Sequence, residues 1–527
     1  MGKDVIQMTR GQNVDFPQVN HQRWWYVILA LGILLQACAV FTSDLGLDAH
    51  VRLNVAMDVG DPGHDYPWGP TRYDAEQPLT LASSGEYDGY IGPWFVSESA
   101  VKIGAFSAIL ALIALAGVVP RWRRHELGKY DPRWGALIAW SPPMIFATGR
   151  GYDEAFLCIF LGLSVLPLMI ADASKPSTRR LTYTLMGTST LLVLAWKGFG
   201  MGAGLFAFCG ILAVGWIWEF VDARLSLRQQ QPVTQQPWVM AASASFLTLA
   251  LLVGLSFTQF TGTLGALGEQ PSQFLLVFSV AMIDGIGIFI IVGFCLWPFF
   301  GPLIQSGRSA VGHSITMIAT FVSVLSVCVV FYIASLWVFE ASLWNSSVLE
   351  TAFLLGNNGR YLTLIILPVV LMFHLLHQQA EPTVDFESSV DKRALLVGLL
   401  LLVPFTLFTS LVGQQLWTED AGGAIDEHLA ENSSFLFVSE PSLAVHLLYS
   451  LKTEIDLSGE ENITAIWAHP ANADALLDVR QDIDYVLVAP DITFEPLNST
   501  LIDRGDAPST FTQSLSTTTW SIFRINF

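Results

Sequence analysis

Two aspartates, a histidine and an arginine follow directly after the first long apolar segment of the chain. They are Asp44, Asp48, His50 and Arg52. If a helix begins at Asp48, His50 and Arg52 fall in its first turns, and the helix dipole favours an acid at that position. A carboxylate placed there can act as a general base toward a hydroxyl. The structural alternative is a polar collar at the membrane border that also caps a helix.

Three further groups of charged residues stand at the ends of apolar segments. They are Arg150 with Asp153 and Glu154, Lys197, and Arg360 with Tyr361. Each group taken alone is typical of side chains that extend from a membrane segment to the headgroup region. Together the four groups would supply acids and bases to one membrane border. A carboxylate there could deprotonate a hydroxyl while Arg and Lys neutralise a phosphate leaving group, which predicts transfer from a phosphate-activated lipid.

The composition indicates a membrane protein. Of 527 residues, 52% are hydrophobic and 13% are charged, whereas soluble domains carry about 25% charged residues. The formal charge of −19 resides mainly in 44–98 and 415–527, and it excludes a nucleic-acid surface, which needs positive charge. The five cysteines all lie in apolar runs, so no disulfide framework or zinc site is expected in the water-soluble segments.

About eleven apolar runs approach the roughly 20 residues that a membrane span needs. The predicted spans are 24–43, 101–120, 134–149, 155–172, 181–196, 201–220, 239–259, 274–303, 315–338, 361–378 and 395–414. The third and fourth are short, and we interpret them as a hairpin of two helices, with one long kinked helix as the alternative. Basic residues concentrate in the loops on the side of the N-terminus, which predicts that this side is cytoplasmic. Eleven spans then place the C-terminus outside.

The predicted domain organisation has three parts. A cytoplasmic tail of 1–23 precedes a transmembrane domain of 24–414, whose aromatic-rich extracytoplasmic loop 44–100 is expected to be ordered. Residues 415–527 alternate short apolar strands with helical patterns, which predicts a small extracytoplasmic α/β domain. N-glycosylation motifs begin at Asn345, Asn432, Asn462 and Asn498. All four fall on the outer side in this predicted topology. The membrane is expected to be a plasma membrane, or that of the endoplasmic reticulum in a eukaryote.

With these residues in view, the chain resembles the polytopic membrane glycosyltransferases of the GT-C superfamily, a group that includes protein O-mannosyltransferases and aminoarabinose transferases. Three motifs carry the resemblance, together with an outer C-terminal domain after the last span. They are the acid-bearing first outer loop Asp44-Leu-Gly-Leu-Asp48, the Pro-containing helix from Ser141-Pro-Pro143 to the outer Asp153, and the pair Arg360-Tyr361 opening a helix that continues to Pro368.

The resemblance implies an α-helical GT-C-like fold and a catalytic role for the first outer loop. In such enzymes the first-loop aspartate is the base that deprotonates the acceptor hydroxyl. The hydroxyl then attacks the anomeric carbon of a sugar on polyprenyl or dolichyl phosphate, usually with inversion. That role falls here to Asp48 or Asp44. Arg360 and Lys197 are similar to the groups that hold the lipid phosphate. The remaining predicted substrate-binding residues are Tyr361, Arg150, Asp153, Glu154, His50 and Arg52.

The first loop also resembles that of the oligosaccharyltransferase catalytic subunits, which are metal-dependent. The chain departs from that family because its C-terminal domain has no Trp-Trp-Asp-Tyr-Gly motif. It also lacks the Asp-Glu doublet of protein O-mannosyltransferase first loops, so no acceptor is implied. We therefore expect no cofactor, with a divalent metal as the open alternative. The expected partners are a lipid-linked sugar donor, membrane lipids and a protein, lipid or glycan acceptor, and no nucleic acid.

Two other functions fit parts of the sequence. A transporter or flippase for a lipid-linked or small anionic substrate is the main alternative, since the chain has many spans and carries Asp284 and Lys197 in or near them. A non-catalytic scaffold or receptor, with a C-terminal domain that binds a partner, is the other.

Overall fold

A computed structural model describes most of the chain. The described residues are 19–50, 53, 97–122, 130–171, 173–197, 201–225, 232–258, 263–307, 312–344, 346–355, 358–380, 391–411, 416–430, 433–441, 443–457, 463–507 and 519–526. Most of the predicted tail 1–23 and of the outer loop 44–100 lies outside these residues. So do Arg52 and three of the four glycosylation-motif asparagines.

Up to Leu411 the described residues form α-helices joined by turns. The helices are α1 Val19–Thr42, α2 Glu98–Trp122, α3 Pro132–Ala139, α4 Pro142–Gly149, α5 Glu154–Leu163, α6 Leu166–Ile170, α7 Pro176–Trp196, α8 Met201–Leu225, α9 Pro237–Ser256, α10 Ala266–Glu269, α11 Pro271–Cys295, α12 Trp297–Gly307, α13 His313–Trp344, α14 Val348–Leu355, α15 Asn358–Ala380 and α16 Lys392–Leu411. Short 3-10 turns occur at Val233–Gln235 and Thr263–Gly265.

Seven of the described helices contain a segment long and apolar enough to cross a membrane. These segments are Arg23–Thr42, Glu98–Val119, Met201–Arg224, Pro237–Ser256, Pro271–Cys295, His313–Ser342 and Arg360–His377. Each overlaps a predicted span, because an uninterrupted apolar run is a direct signal of a spanning helix. The chain is therefore an integral, multi-pass membrane protein, and the number of eleven spans stays a prediction.

Prolines divide some of the predicted spans. The run 134–149 forms α3 and α4, which are separated before Pro142, because proline lacks an N–H and disfavours a helical residue before it. The run 274–303 forms α11 and α12, which are separated at Leu296 shortly before Pro298. Helices α4 and α5 are joined by the turn 150–153 and contact each other, in keeping with the hairpin interpretation.

Helix α15 lies at the centre of the helical bundle. In its apolar segment 78% of the residues are buried, against 17% in α11. It contacts helices from α2 to α13, among them α3, α4, α5, α11 and α12. A charged residue at its start, Arg360, is therefore held among several helices and not on the bundle surface.

The C-terminal domain is a five-stranded sheet covered by helices. Its elements are α17 Trp417–His428, β1 Ser434–Val438, α18 Ala444–Leu457, β2 Thr464–Ala468, α19 Pro470–Val479, β3 Tyr485–Val488, β4 Ser499–Asp506 and β5 Thr519–Ile525. The strand order is β2-β1-β3-β5-β4, with β1 parallel to β2 and β3, and β5 antiparallel to β3 and β4. This confirms the predicted small α/β domain.

Alternate residues of β1 pack on opposite faces of this sheet, as strand geometry requires. Phe435 and Phe437 join the cluster that contains residues of α17 and α18, whereas Leu436 and Val438 join the cluster on the side of α19. Helices α17 and α18 thus share one face, and their side chains meet the first outer segment of the membrane part, as described below.

Candidate active site

The turn between α4 and α5 presents two acids to the interior of the bundle. Helix α4 ends in a Schellman motif, in which Gly151 and Tyr152 donate N–H bonds of 3.1 and 3.0 Å to carbonyls one turn earlier. Gly151 has a φ of 68°, a conformation that glycine adopts without steric cost. Asp153 then caps α5, and Glu154 is its first residue, where the helix dipole favours negative charge.

The same turn is attached to the segment that follows α1. Gly46 donates its N–H to the carbonyl oxygen of Arg150 over 2.9 Å. A Cβ atom at Gly46 would lie 2.3 Å from the phenol oxygen of Tyr152, so only glycine lets the ring approach this closely. The guanidinium of Arg150 stacks on the Phe146 ring at 3.8 Å. The first outer segment and the α4–α5 turn are therefore fixed relative to each other.

Two buried acids and two buried cations meet beside this turn. Lys197 directly follows α7, and its ammonium contacts both Asp153 and Glu154, the latter at 2.7 Å. Arg360 Nε lies 2.7 Å from the same oxygen of Glu154. The four residues are at most 8% exposed. Buried charges are tolerated when each is paired, and here two acids are matched by two cations.

Asp48 is the third carboxylate of the cluster. Its Oδ2 atom lies 2.5 Å from Arg360 Nη2, so the guanidinium joins Asp48 to Glu154. The Asp48 side chain is 33% exposed, whereas those of Asp153 and Glu154 are 0% exposed. Of these three acids, Asp48 is the one that a substrate can reach.

Aromatic rings surround the two cations. The Arg360 guanidinium lies 3.9 Å from the centre of the Tyr152 ring and 4.9 Å from that of Tyr361. The Tyr361 ring also lies 5.9 Å from Lys197 Nζ and meets the Tyr332 ring edge to face at 5.1 Å. These rings exclude water from the ion pairs and strengthen them through cation–π contacts.

The C-terminal domain reaches this cluster through α18. His446 Nε2 lies 3.6 Å from Asp48 Oδ1. Burial lowers the pKa of His446 below its usual value, and this outweighs the opposite effect of Asp48. A neutral imidazole therefore stands beside the accessible carboxylate at neutral pH.

Asp44, the other predicted base, lies in a different environment. Its Oδ2 atom accepts the N–H of Leu416 over 3.0 Å, and its side chain is hydrogen-bonded to that of Glu419. Burial raises the pKa of Asp44. Asp44 thus joins the membrane part to the start of α17, and its described contacts do not include Arg360 or Lys197.

His50 lies in the helical turn 47–50 with Asp48 but faces another group. Its ring nitrogens lie near the carboxylates of Glu419 and Glu454, and the three ligand atoms are within 4.8 Å of one another. Burial lowers the pKa of His50 to about 4. Among the described residues, this is the group that could hold a metal ion.

The structure brings most of the predicted site residues together. Asp48, Asp153, Glu154, Lys197 and Arg360 form one network of ion pairs, with Tyr361 and Arg150 packed around it, and Asp44 and His50 lie at the adjoining domain junction. Arg52 lies outside the described residues. Sequence reasoning missed His446, Glu419 and Glu454, because nothing in the sequence indicates which side of the C-terminal domain faces the membrane part.

A large apolar cavity runs along α15 on the membrane side of the cluster. Its volume is about 460 Å³, and residues of α3, α4, α11, α12 and α15 line it. Leu362, two residues after Arg360, is part of the lining. Phe294 and Trp297 on its rim are 74% and 52% exposed, so the cavity opens beside exposed apolar surface.

The chain is similar to two solved membrane proteins in overall architecture. No protein-family model matches the chain, and no curated protein sequence matches it. The chain is similar to ArnT from Cupriavidus metallidurans bound to undecaprenyl phosphate, with 12% identity and a TM-score of 0.41 over 96% of this chain and 98% of ArnT. It is also similar to the arabinofuranosyltransferase AftD from Mycobacteria, with 14% identity and a TM-score of 0.40 over 96% of this chain and 42% of AftD. AftD is by its name a glycosyltransferase, but TM-scores below 0.5 describe only general likeness, and the function proposed below rests on the site geometry.

Proposed function

We propose that the protein is a membrane glycosyltransferase that moves a sugar from a polyprenyl- or dolichyl-phosphate donor to an acceptor hydroxyl at the extracytoplasmic face. The observation that carries this proposal is the Asp48–Arg360 pair. It combines a partly exposed carboxylate with a buried guanidinium whose position is set by Glu154 and, through it, by Lys197. A reachable base and a fixed cation are the two groups that transfer from a phosphate ester requires.

In the proposed reaction Asp48 is the general base. The acceptor oxygen attacks the anomeric carbon while its proton passes to the Asp48 carboxylate. The bond between that carbon and the phosphate oxygen breaks, and the electron pair leaves with the lipid phosphate. Asp153 and Glu154, the two other carboxylates of the cluster, are fully buried, so neither is placed to form a glycosyl intermediate. The proposed reaction is therefore a single displacement with inversion.

Arg360 has a second role in this proposal. The charges of Asp48, Asp153, Glu154, Lys197 and Arg360 sum to −1, so the cluster does not attract a phosphate by excess positive charge. The donor phosphate instead competes with Asp48 for the Arg360 guanidinium. A carboxylate beside a guanidinium is a weak base, and it becomes a stronger one when that partner is taken by another anion. Donor binding would thereby activate Asp48.

The remaining predicted residues hold this pair in place. Lys197, Asp153 and Glu154 are positioning residues, since the ion pairs that link them to Asp48 run through Arg360. Tyr361 and Tyr152 pack against the guanidinium, and Arg150 stacks on Phe146 in the adjoining turn. The apolar cavity along α15 is the proposed site for the isoprenoid chain, because its lining on that helix begins two residues after Arg360 and its rim is exposed apolar surface. A chain seated there would bring its phosphate toward the cluster.

The proposal is tested by a transfer assay on the purified protein in detergent, with a panel of labelled polyprenyl-phosphate sugars and extracted membrane components as acceptors. Asp48→Asn should lower turnover at least about 100-fold, the usual contribution of a general base. Asp44→Asn is the matched control, since it makes the same chemical change four residues earlier, and it should keep turnover within a few-fold of wild type. Equal turnover in wild type and Asp48→Asn would overturn the assignment of the base.

A further inference from the structure

A second cluster of titratable side chains lies at the junction of the membrane part and the C-terminal domain. It contains His50 from the turn 47–50, Glu419 from α17 and Glu454 from α18. His50 is two residues after Asp48, and residues two apart on a helix point to nearly opposite sides. The cluster is therefore separate from the Asp48–Arg360 pair, although the same short helix carries both.

The packing of α17 against α18 brings the two glutamates together. Thr418 and Ser450 share a hydrogen bond of 2.6 Å between these helices. A Cβ atom at Gly422 would lie 2.5 Å from Glu454 Cβ. Because Gly422 has no side chain, Glu454 can pack directly against the backbone of α17. Gly422 is three residues after Glu419 and shares its helix face. The second carboxylate is thus placed directly beside the first.

The cluster holds more negative charge than the described cations balance. Asp44 and Glu98 act electrostatically on these glutamates, and Lys102 is the nearby cation, already paired with Glu98 at 2.5 Å. Burial and repulsion from Asp44 and Glu98 raise the pKa of both glutamates. Carboxylates packed in this way need either shared protons or a cation between them.

We propose that His50, Glu419 and Glu454 bind one divalent cation of the Zn²⁺ type, which links the first outer segment to the C-terminal domain. The ligand atoms, now within 4.8 Å of one another, need to approach by up to about 1.5 Å, because ligands held at ~2.0–2.1 Å in tetrahedral geometry lie roughly 3.3 Å apart. An imidazole with two carboxylates suits Zn²⁺ better than Mg²⁺ or Ca²⁺, which prefer oxygen ligands alone.

The consequence is structural. A cation there fastens the turn that carries Asp48 to α17 and α18, and α18 also presents His446 to Asp48. The inference does not depend on the proposed transfer reaction, since its ligands come from contacts outside the ion-pair network of Arg360.

The test measures bound metal on the full chain. The protein is purified through a tag without histidines, treated with a chelator, incubated with Zn²⁺ and desalted, and its zinc content is measured by elemental mass spectrometry. Wild type should hold about one Zn²⁺ per chain, and Zn²⁺ should raise its melting temperature. Glu454→Gln and His50→Gln should each lower the affinity at least about tenfold, since even outer-shell changes cost that much.

Glu427→Gln is the matched control, because it removes the same charge from an exposed position of α17 and should keep the zinc. Glu454→Gln is expected to fold, since an amide resembles the protonated carboxyl that burial favours here. Asp48→Asn should also keep the zinc while it loses transfer. A wild-type protein without stoichiometric zinc, unchanged affinity in Glu454→Gln, or loss of zinc in Asp48→Asn would each overturn the assigned ligand set.

Discussion

Replacing Lys197 with methionine removes the cation that two buried carboxylates share. The ammonium contacts Asp153 and lies 2.7 Å from Glu154, and both acidic side chains are 0% exposed. Glu154 keeps its contact with Arg360, whereas Asp153 loses its ion pair with Lys197 and keeps the hydrogen bond from the indole of Trp196. Breaking a buried ion pair in this way costs about 3–5 kcal/mol, because a charge is left in a medium of low polarity.

The loss should be measured as the free energy of unfolding in mixed micelles, and it should be reversed by a second change. In Lys197→Met with Asp153→Asn, no unpaired charge remains, and the amide oxygen can still accept the Trp196 N–H. We expect the double variant to recover to within about 1–2 kcal/mol of wild type, since replacing both partners of a buried pair is often nearly neutral. Lys175→Met, at the exposed start of the same helix, is the control and should change stability by at most ~0.5 kcal/mol.

Two results would refute this account of the network. Lys197→Met could leave the free energy of unfolding within about 1 kcal/mol of wild type, which would mean that the lysine does not neutralise buried charge. Asp153→Asn could fail to restore stability, which would mean that the loss comes from packing and not from an unpaired carboxylate.

Three more predictions follow from the same contacts. Gly46→Ala should lower the free energy of unfolding by about 1–3 kcal/mol through overpacking, because its new Cβ atom would lie 2.3 Å from the Tyr152 phenol oxygen. Gly287→Ala is the control, since nothing lies within 4 Å of its Cβ position. Equal stability of the two variants would contradict the close approach of Gly46 and Tyr152. Since burial lowers the pKa of His446 from 6.5, its contribution to stability is fully present above pH 6.5 and is lost as the pH falls below that value; unfolding measured against pH should show a shallower fall in His446→Gln than in wild type, with the remainder due to His50, and an unchanged slope would argue against a neutral, partly buried ring. In a variant without native cysteines, Glu440→Cys should react with a membrane-impermeant maleimide added from outside, and labelling only after permeabilisation would reverse the proposed topology.

The helices of the membrane part could be predicted from the sequence because lipid imposes a single strong requirement. Each spanning helix needs a long apolar run, and all seven that the structure describes overlap one. The breaks were harder to place, since Pro142 and Pro298 interrupt runs that hydropathy treats as continuous. In the C-terminal domain β4 could not be predicted, because Ser499–Asp506 is a polar edge strand with exposed or half-exposed residues and lacks the apolar signal of the inner strands.

The residue types of the site could be predicted, but their partners could not. Asp48, Glu154, Lys197 and Arg360 were indicated because charges at the ends of apolar segments are rare and costly. Which acid meets which cation depends on how α5, α7 and α15 pack, and the sequence carries no local signal for that. The different surroundings of Asp48 and Asp44 also depend on packing that the sequence does not signal. Both follow α1, yet one turns toward the bundle and the other toward α17.

The most direct test of the central claim is to measure donor binding and turnover together in wild type and Asp48→Asn. If Asp48 is the base and shares Arg360 with the donor phosphate, the variant should bind a polyprenyl-phosphate sugar at least as tightly as wild type, while its single-turnover rate falls by about 10²–10⁴-fold. Weaker donor binding with an unchanged rate of sugar transfer would show that Asp48 holds the donor and that another group takes the proton.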